Sequence, residues 1–186
     1  MTHVHHPHRR FFLRRVAQAA AVAAGTPLAA NAMIAPRGEA RSLAFHHTHT
    51  GEQLQVTYAV GGEYVPQALA TLNHFLRDHY TGEVGHIDPQ LFDLLHSLQS
   101  RLAWRQPYEV ISGYRCPKTN ELLRTTRGGG VASHSLHMDG KAMDIRLPGV
   151  PLAEVRDAAL SLQAGGVGYY SHEQFVHVDT GRVRRW

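Results

Sequence analysis

The segment Ser135–Asp144 places a histidine and an aspartate, His137 and Asp144, seven residues apart, and His177 follows 33 positions later. Two imidazole nitrogens and one carboxylate oxygen form the three-ligand set typical of catalytic zinc, whose fourth position is left for water. A closed structural site usually has four protein ligands, often cysteines, and this chain has one cysteine. If the three residues bind one metal ion, the fold has to bring their side chains to one point. The alternative is that they are three unrelated polar residues.

The residues around these three side chains favour such a fold. Gly140 permits a sharp turn after His137. The pattern over Ala142–Leu147 predicts a strand that carries Asp144, and alternation along a strand over Phe175–Val178 places His177 and Asp179 on the same face. A turn and two strands are therefore expected to hold the site.

The rest of the chain predicts an α+β domain, because helices come early and strands cluster late. A hairpin is expected around His49–Glu52, between Leu43–Phe45 and Gln53–Tyr58. Apolar spacing predicts the helices, and alternation predicts the later strands. The expected helices are Pro66–Tyr80, one capped by Asp88, Pro117–Arg124 and Leu152–Gln163; the expected later strands are Tyr108–Ser112, Ala142–Leu147, Gly166–Tyr170 and Phe175–Val178.

Residues 1–32 are typical of a targeting segment. Four arginines and no acidic residue accompany the small, mostly apolar run Val16–Ala24, and Ala30-Asn31-Ala32 fits a small-x-small cleavage site. A membrane-spanning helix needs about 20 strongly apolar residues, so no stable insertion is expected after the signal is removed. The run Arg9-Arg10-Phe11-Phe12-Leu13-Arg14 resembles the twin-arginine export signal, which predicts a periplasmic protein. The alternatives are an ordinary secretory signal and an uncleaved anchor.

The expected organisation is a signal peptide over 1–32, a flexible lead-in over 33–42 and one domain over 43–186. Outside the signal, 15 Lys and Arg residues equal the 15 Asp and Glu residues. A basic stripe that could follow phosphates is missing, so nucleic acid is not an expected partner.

Two other groups of residues could carry chemistry. Cys116 could be a nucleophile, but no histidine partner is evident beside it, and a plain core or turn residue is the preferred interpretation. His46, His47 and His49 could bind a metal, but exposed histidines at the end of a strand are the preferred interpretation.

The motif Ser-x-His-x-x-Gly-x-Ala-x-Asp with a later strand histidine resembles the signature of the M15-type zinc peptidases that cleave D-alanyl-D-alanine. Within that group, Ser112-Gly113-Tyr114-Arg115, Gly168-Tyr169-Tyr170 and Phe175–Gly181 look most like the murein endopeptidase subgroup. The resemblance covers residues 43–186. It implies a small antiparallel sheet that carries the zinc site and is flanked by helices, as in hedgehog-like domains.

The resemblance assigns His137, Asp144 and His177 as ligands of one zinc ion. Arg115 matches an arginine that approaches the substrate carboxylate or carbonyl, although a structural pair with a nearby acid is the alternative. Ser135 matches the family serine, and its hydroxyl is expected to support the site through a hydrogen bond.

The general base departs from the family pattern. Better-known relatives have Glu or Asp three residues before the last zinc histidine, whereas this chain has Gln174, and an amide cannot accept the proton. The candidates are Asp179, as base or as the carboxylate that orients a ligand, and then Glu173 and His172.

The resulting expectation is a zinc-dependent murein endopeptidase that binds peptidoglycan stem peptides and cleaves their cross-links, of the 4–3 or the 3–3 type. The rivals are a D-alanyl-D-alanine carboxypeptidase or dipeptidase on the same site, and a zinc-containing cell-wall-binding module without turnover.

Overall fold

The computed structural model describes residues 38–126 and 131–186. The predicted signal over 1–32, the first half of the predicted lead-in (33–37) and the glycine-rich stretch 127–130 lie outside these residues. The strands are β1 (Ala40–His47), β2 (Gln53–Val60), β3 (Glu63–Tyr64), β4 (Tyr108–Ser112), β5 (Ala142–Arg146), β6 (Gly166–Tyr170), β7 (Phe175–Asp179) and β8 (Arg184–Arg185). The helices are α1 (Pro66–Phe75), α2 (Pro89–Arg101), α3 (Pro117–Thr126) and α4 (Leu152–Leu162).

All eight strands form one mixed sheet in the order β3-β2-β1-β4-β5-β7-β6-β8. Two pairs, β1 with β4 and β6 with β8, are parallel, and the other pairs are antiparallel. The α+β class is confirmed, but the expected small antiparallel sheet is wrong. The difference arises because the β1–β2 hairpin joins β4 edge to edge after a crossover through α1 and α2, as a parallel pair requires.

The core lies between the sheet and three of the helices, since α1 contacts β2, α2 contacts β1 and α4, and α4 contacts β6 and β7. Alternation along β7 sends Val176 and Val178 into this core and leaves His177 and Asp179 for the opposite face. On β5, Met143 and Ile145 belong to the core in the same way. These three helices therefore cover one face of the central strands, and the other face holds the polar residues.

Helix α1 ends at Phe75, five residues before the predicted end at Tyr80. The carboxylate of Asp78 accepts hydrogen bonds from the backbone N–H groups of Tyr80 and Thr81 (2.9 and 3.3 Å) and of Cys116 (2.9 Å). An aspartate that bonds nearby backbone groups in this way competes with the helix and ends it. The predicted cap of α2 is confirmed, because Asp88 accepts from the N–H of Gln90 at 3.0 Å. Within the described part of the chain, no helix has the length and apolarity to cross a membrane.

Of the three histidines near the first hairpin, which were predicted to be exposed, His46 is half-buried and His47 is buried. His47 is fully buried, because alternation along β1 places it on the same face as Phe45, in contact with Phe75 (ring centroids 5.9 Å apart). Burial, together with the nearby His79 and His49, lowers the pKa of His47 to about 4, so the ring is neutral at neutral pH. His49 is exposed as predicted and stacks on His79.

Gly140 adopts a left-handed conformation with φ of 65° and lies against the chain before α2. A Cβ atom at this position would be 1.8 Å from the carbonyl oxygen of His86. Gly149 has a similar φ of 82°, but nothing lies within 4 Å of its Cβ position. Substitutions at the two glycines therefore distinguish the cost of left-handed backbone strain from the cost of a steric clash.

We expect Gly140→Ala to lower the free energy of unfolding far more than Gly149→Ala does. Left-handed strain costs roughly 1–2 kcal/mol at both sites, and only Gly140→Ala adds a clash with backbone, for a total of at least about 3 kcal/mol. Urea unfolding of both variants and the unchanged protein measures this. Equal losses would show that the close approach to His86 is unimportant.

Candidate metal centre

The three predicted ligand side chains converge on one point. Asp144 on β5 and His177 on β7 are directly paired across the sheet, and His137 comes from the turn before β5. Nε2 of His137 lies 3.2 Å from Oδ1 of Asp144 and 3.2 Å from Nδ1 of His177, and the last two atoms are 2.9 Å apart. All three residues are buried, and they are the one group found in the described ranges whose side chains could hold a metal ion.

The outer hydrogen bonds of the two imidazoles decide which nitrogens face this point as acceptors. Nδ1 of His137 donates to the carbonyl oxygen of Gly113 at 2.7 Å, and Nε2 of His177 donates to Oδ2 of Asp179 at 3.2 Å. In the neutral tautomers, Nε2 of His137 and Nδ1 of His177 then carry lone pairs. Together with the Asp144 carboxylate, three acceptors face one another, which is favourable only with a cation between them.

Electrostatics support the same conclusion. Although burial would raise the pKa of Asp144, the adjacent His137 and His177 hold it well below the usual value. Burial would lower the pKa of His177, but the carboxylates of Asp144 and Asp179 raise it to about 9. The pKa of His137 is lowered, chiefly by its burial. The pocket therefore requires a positive charge, which either a proton or a metal ion can provide.

The spacing of the three atoms fits a tetrahedral ion. Zinc binds histidine nitrogen and carboxylate oxygen at about 2.0–2.2 Å, so two ligands at a tetrahedral angle are roughly 3.4 Å apart. The separations in this structure, 2.9 to 3.2 Å, are close to that value. A tetrahedral ion held by these three side chains would have one further position available for water or substrate.

Asp179 lies behind His177 and is fully buried. Its carboxylate also accepts from the N–H groups of Gly166 (2.9 Å) and Gly181 (2.8 Å) and pairs with Arg184 (2.9 Å). Burial would raise its pKa, but the hydrogen bonds from His177 and these N–H groups lower it. Of the two roles considered for Asp179, this position favours the carboxylate that orients a ligand.

The segment Gly113–Cys116 supports the metal centre from the other side. Tyr114 N–H donates to the carbonyl of Leu76 (2.8 Å), Cys116 N–H donates to Asp78 (2.9 Å), and Arg115 N–H donates to the carbonyl of His137 (3.2 Å). Cys116 is buried, in agreement with its predicted core role. The segment is thereby fixed where Gly113 can hold the His137 ring.

Arg115 and Ser135 both border the site. Nη2 of Arg115 lies 3.7 Å from Oδ2 of Asp144 and 3.4 Å from the hydroxyl of Ser112. A bulge between Val110 and Ser112 turns Ser112 towards this face, opposite Asp144. The hydroxyl of Ser135 accepts from the N–H of His137 at 3.4 Å, at the start of the turn.

A cavity of about 440 Å³ opens over the side chains of His137, Asp144 and His177. Arg115, Ser135 and Glu173 line it, as do residues that sequence analysis did not select: His134, Tyr170, Arg184 and Trp186. The sequence around Trp186 contains no local pattern that predicts its position in the cavity, because that position depends on the pairing of β8 with β6. Gln174 has a left-handed φ of 59°, and its amide donates to the carbonyl of Ser171. His172 is exposed.

Comparison with known proteins decides the family. Residues 35–186 match the M15 peptidase family model described as "Peptidoglycan L,D-endopeptidase MepK". The chain belongs to this peptidase family. The Peptidoglycan L,D-endopeptidase MepK of Escherichia coli strain K12 is 47% identical over 146 residues, which are 78% of this chain and 80% of that protein. A "Probable peptidoglycan L,D-endopeptidase MepK" of Haemophilus influenzae is 43% identical over 147 residues, 78% of each chain.

The family membership confirms the resemblance to M15-type murein endopeptidases and the prediction that the chain is a peptidase. The ligand set, the general base and the identity of the metal stay predictions at this point.

We expect Asp179→Asn to weaken zinc binding by about 10–100-fold, because the neutral amide no longer fixes the His177 ring as strongly. Asp139→Asn is the matched control, since Asp139 is exposed and lies in the same turn as His137. Competition with a zinc-sensitive chelator measures both affinities, and circular dichroism checks that both variants are folded. An unchanged affinity for Asp179→Asn would contradict the orienting role.

Proposed function

We propose that the chain is a zinc-dependent peptidoglycan endopeptidase that hydrolyses L,D peptide bonds in the cross-links between stem peptides. The observation that carries the proposal is the set of three acceptors on His137, Asp144 and His177 at the spacing of a tetrahedral ion. The 47% identity to a protein named for L,D-endopeptidase activity supports the bond type. In such a cross-link, the carbonyl of an L-configured centre is joined to the amine of a D-configured one.

The chemistry needs an activated water molecule and a polarised carbonyl. Zinc held by three protein ligands lowers the pKa of a bound water molecule to about 7 and polarises the scissile carbonyl. The side chains of the pocket then have to accept the proton of that water and stabilise the negative charge on the carbonyl oxygen.

Glu173 is the residue we assign as general base. It lies in the turn between β6 and β7 and lines the cavity, whereas Asp179 is buried on the far side of His177. Gln174 occupies the position of the usual family base, but the carboxylate of Glu173 is one residue away on the same turn. We therefore assign proton transfer to Glu173 and orientation of His177 to Asp179.

Arg115 is the residue we assign to substrate binding. Its guanidinium group lies at the wall of the cavity, next to Asp144. A planar guanidinium binds a carboxylate or a developing oxyanion through two hydrogen bonds. The hydroxyl of Ser135 accepts a hydrogen bond from the backbone N–H of His137 and so supports the turn that carries His137.

The shape of the surface favours an endopeptidase over a carboxypeptidase. Glu173 and Phe175 line both the main cavity and a neighbouring one of about 590 Å³, which continues towards Thr48, His49 and Arg146. The two cavities therefore adjoin at Glu173 and Phe175, so the concave surface is not limited to the space over the metal centre. A bond inside a cross-linked peptide needs room for chain on both sides, whereas removal of a terminal residue needs room on one.

We also propose that residues 1–32 direct export to the periplasm by the twin-arginine route, and that residues 43–186 are the peptidase domain. The arginine pair with Phe-Leu, followed by a small-residue cleavage pattern, supports this assignment. Export would bring the enzyme to peptidoglycan, its proposed substrate.

Digestion of purified sacculi tests the function. We expect the zinc-loaded protein to remove L,D-linked muropeptide dimers and leave D,D-linked dimers, and His137→Ala to lose this activity together with bound zinc. His96→Ala, a change on helix α2, is the control. Shortened monomers would indicate a carboxypeptidase, and chromatograms unchanged by the wild-type protein would indicate a binding module.

The base assignment has its own test. We expect Glu173→Gln to lower kcat by about 10²–10⁴-fold while the zinc content stays the same, because the amide cannot accept a proton. His172→Ala, in the same turn, should keep its activity. Full activity of Glu173→Gln would exclude Glu173 as the base.

A further inference from the structure

The last residue of the chain is held in a fixed position beside the metal centre. Strand β8 pairs in parallel with β6, and beyond it Trp186 N–H donates to the carbonyl of Val167 (3.2 Å). The carbonyl of Trp186 accepts from the N–H of Tyr169 (3.0 Å). These two bonds extend the sheet to the final residue, so the Trp186 side chain projects from ordered backbone.

The indole ring has contacts that fix its orientation. Its Nε1 donates to the hydroxyl of Tyr170 at 2.9 Å, and its ring centroid lies 5.2 Å from that of His177. The guanidinium of Arg184 lies 4.9 Å from the indole centroid. Gly168 makes room for the ring, since a Cβ at this glycine would be 2.7 Å from the nearest indole atom.

Packing in the hydrophobic core does not account for the position of the Trp186 side chain. Trp186 is 49% exposed and does not belong to the hydrophobic core, yet it lines the cavity above His177. A large aromatic side chain that is held rigid and half exposed next to a reactive centre offers an apolar surface at little entropic cost. Its polar edge is already satisfied by Tyr170, and Arg184 and Gly168 contact the ring, so the exposed half of the indole remains for a ligand.

We propose that Trp186, held by Tyr170, is a substrate-binding and specificity-determining residue, whose indole face packs on the aliphatic part of a stem-peptide residue beside the scissile bond. The inference rests on the proposed function and extends it to the substrate contact. Trp186 would thus form one wall of the active site, with Glu173 at the turn between β6 and β7.

Steady-state kinetics on a purified L,D-linked muropeptide dimer test this role. We expect Trp186→Ala to raise KM about tenfold with kcat changed by less than about threefold, and Trp186→Phe to recover most of the loss. Val183→Ala is the matched control, since Val183 lies on the same terminal segment and is 61% exposed. Zinc content and melting temperature should be the same in all four proteins.

A direct binding signal separates substrate contact from a structural role. The chain has two tryptophans, Trp104 and Trp186. In stopped-flow mixing with the dimer, we expect a rapid change in tryptophan emission for the wild type and for Trp104→Phe. We expect no rapid change for Trp186→Phe, which retains only Trp104.

The outcomes keep the two proposals apart. If the wild type leaves all dimers intact, the proposed function fails. If the wild type cleaves dimers but Trp186→Ala keeps the wild-type KM, or the emission change survives in Trp186→Phe, the substrate role of Trp186 is overturned. Loss of zinc or a lower melting temperature in Trp186→Ala, with no emission change in the wild type, would likewise overturn it by making Trp186 structural.

Discussion

Two neutral imidazoles and a carboxylate aimed at one another repel unless a cation lies between them, and the site of this protein is built around that requirement. The outward-facing nitrogens of His137 and His177 donate to Gly113 and Asp179, so in the neutral rings the inward-facing nitrogens carry lone pairs. The sheet contributes the third acceptor, because Asp144 is paired directly with His177. The hydrogen bonds of the fold therefore leave three acceptor atoms facing one another, an arrangement that a divalent ion between them stabilises.

The supporting groups come from distant parts of the chain. Asp78 after α1 holds the backbone of Cys116, which fixes the segment that contains Gly113 and Arg115. At the other end, Arg184 pairs with Asp179 and brings the terminal strand against β6. The metal centre is thus supported by the segment after α1 and by the terminal strand, which are far apart in the sequence.

Part of the fold and of the metal centre could be predicted from the sequence, because it depends on interactions between neighbouring residues. The turn at Gly140, the cap at Asp88 and the alternation that places His177 and Asp179 on one face follow from local rules, and the structure agrees with each. Edge-to-edge strand pairing does not follow from local rules. The parallel contact of β1 with β4 made the sheet larger than expected and mixed, and the same kind of contact between β8 and β6 placed Trp186 in the cavity. The burial of His47 depends on the contact of β1 with α1, and the Asp78 carboxylate that ends α1 through local bonds to Tyr80 and Thr81 also accepts a long-range bond from Cys116.

Anomalous diffraction at the zinc absorption edge, from crystals of the zinc-loaded protein, tests the central claim most directly. The account predicts one strong peak about 2.0–2.2 Å from Nε2 of His137, Oδ1 of Asp144 and Nδ1 of His177. A peak on other residues, or no peak between these three atoms at saturating zinc, would contradict it.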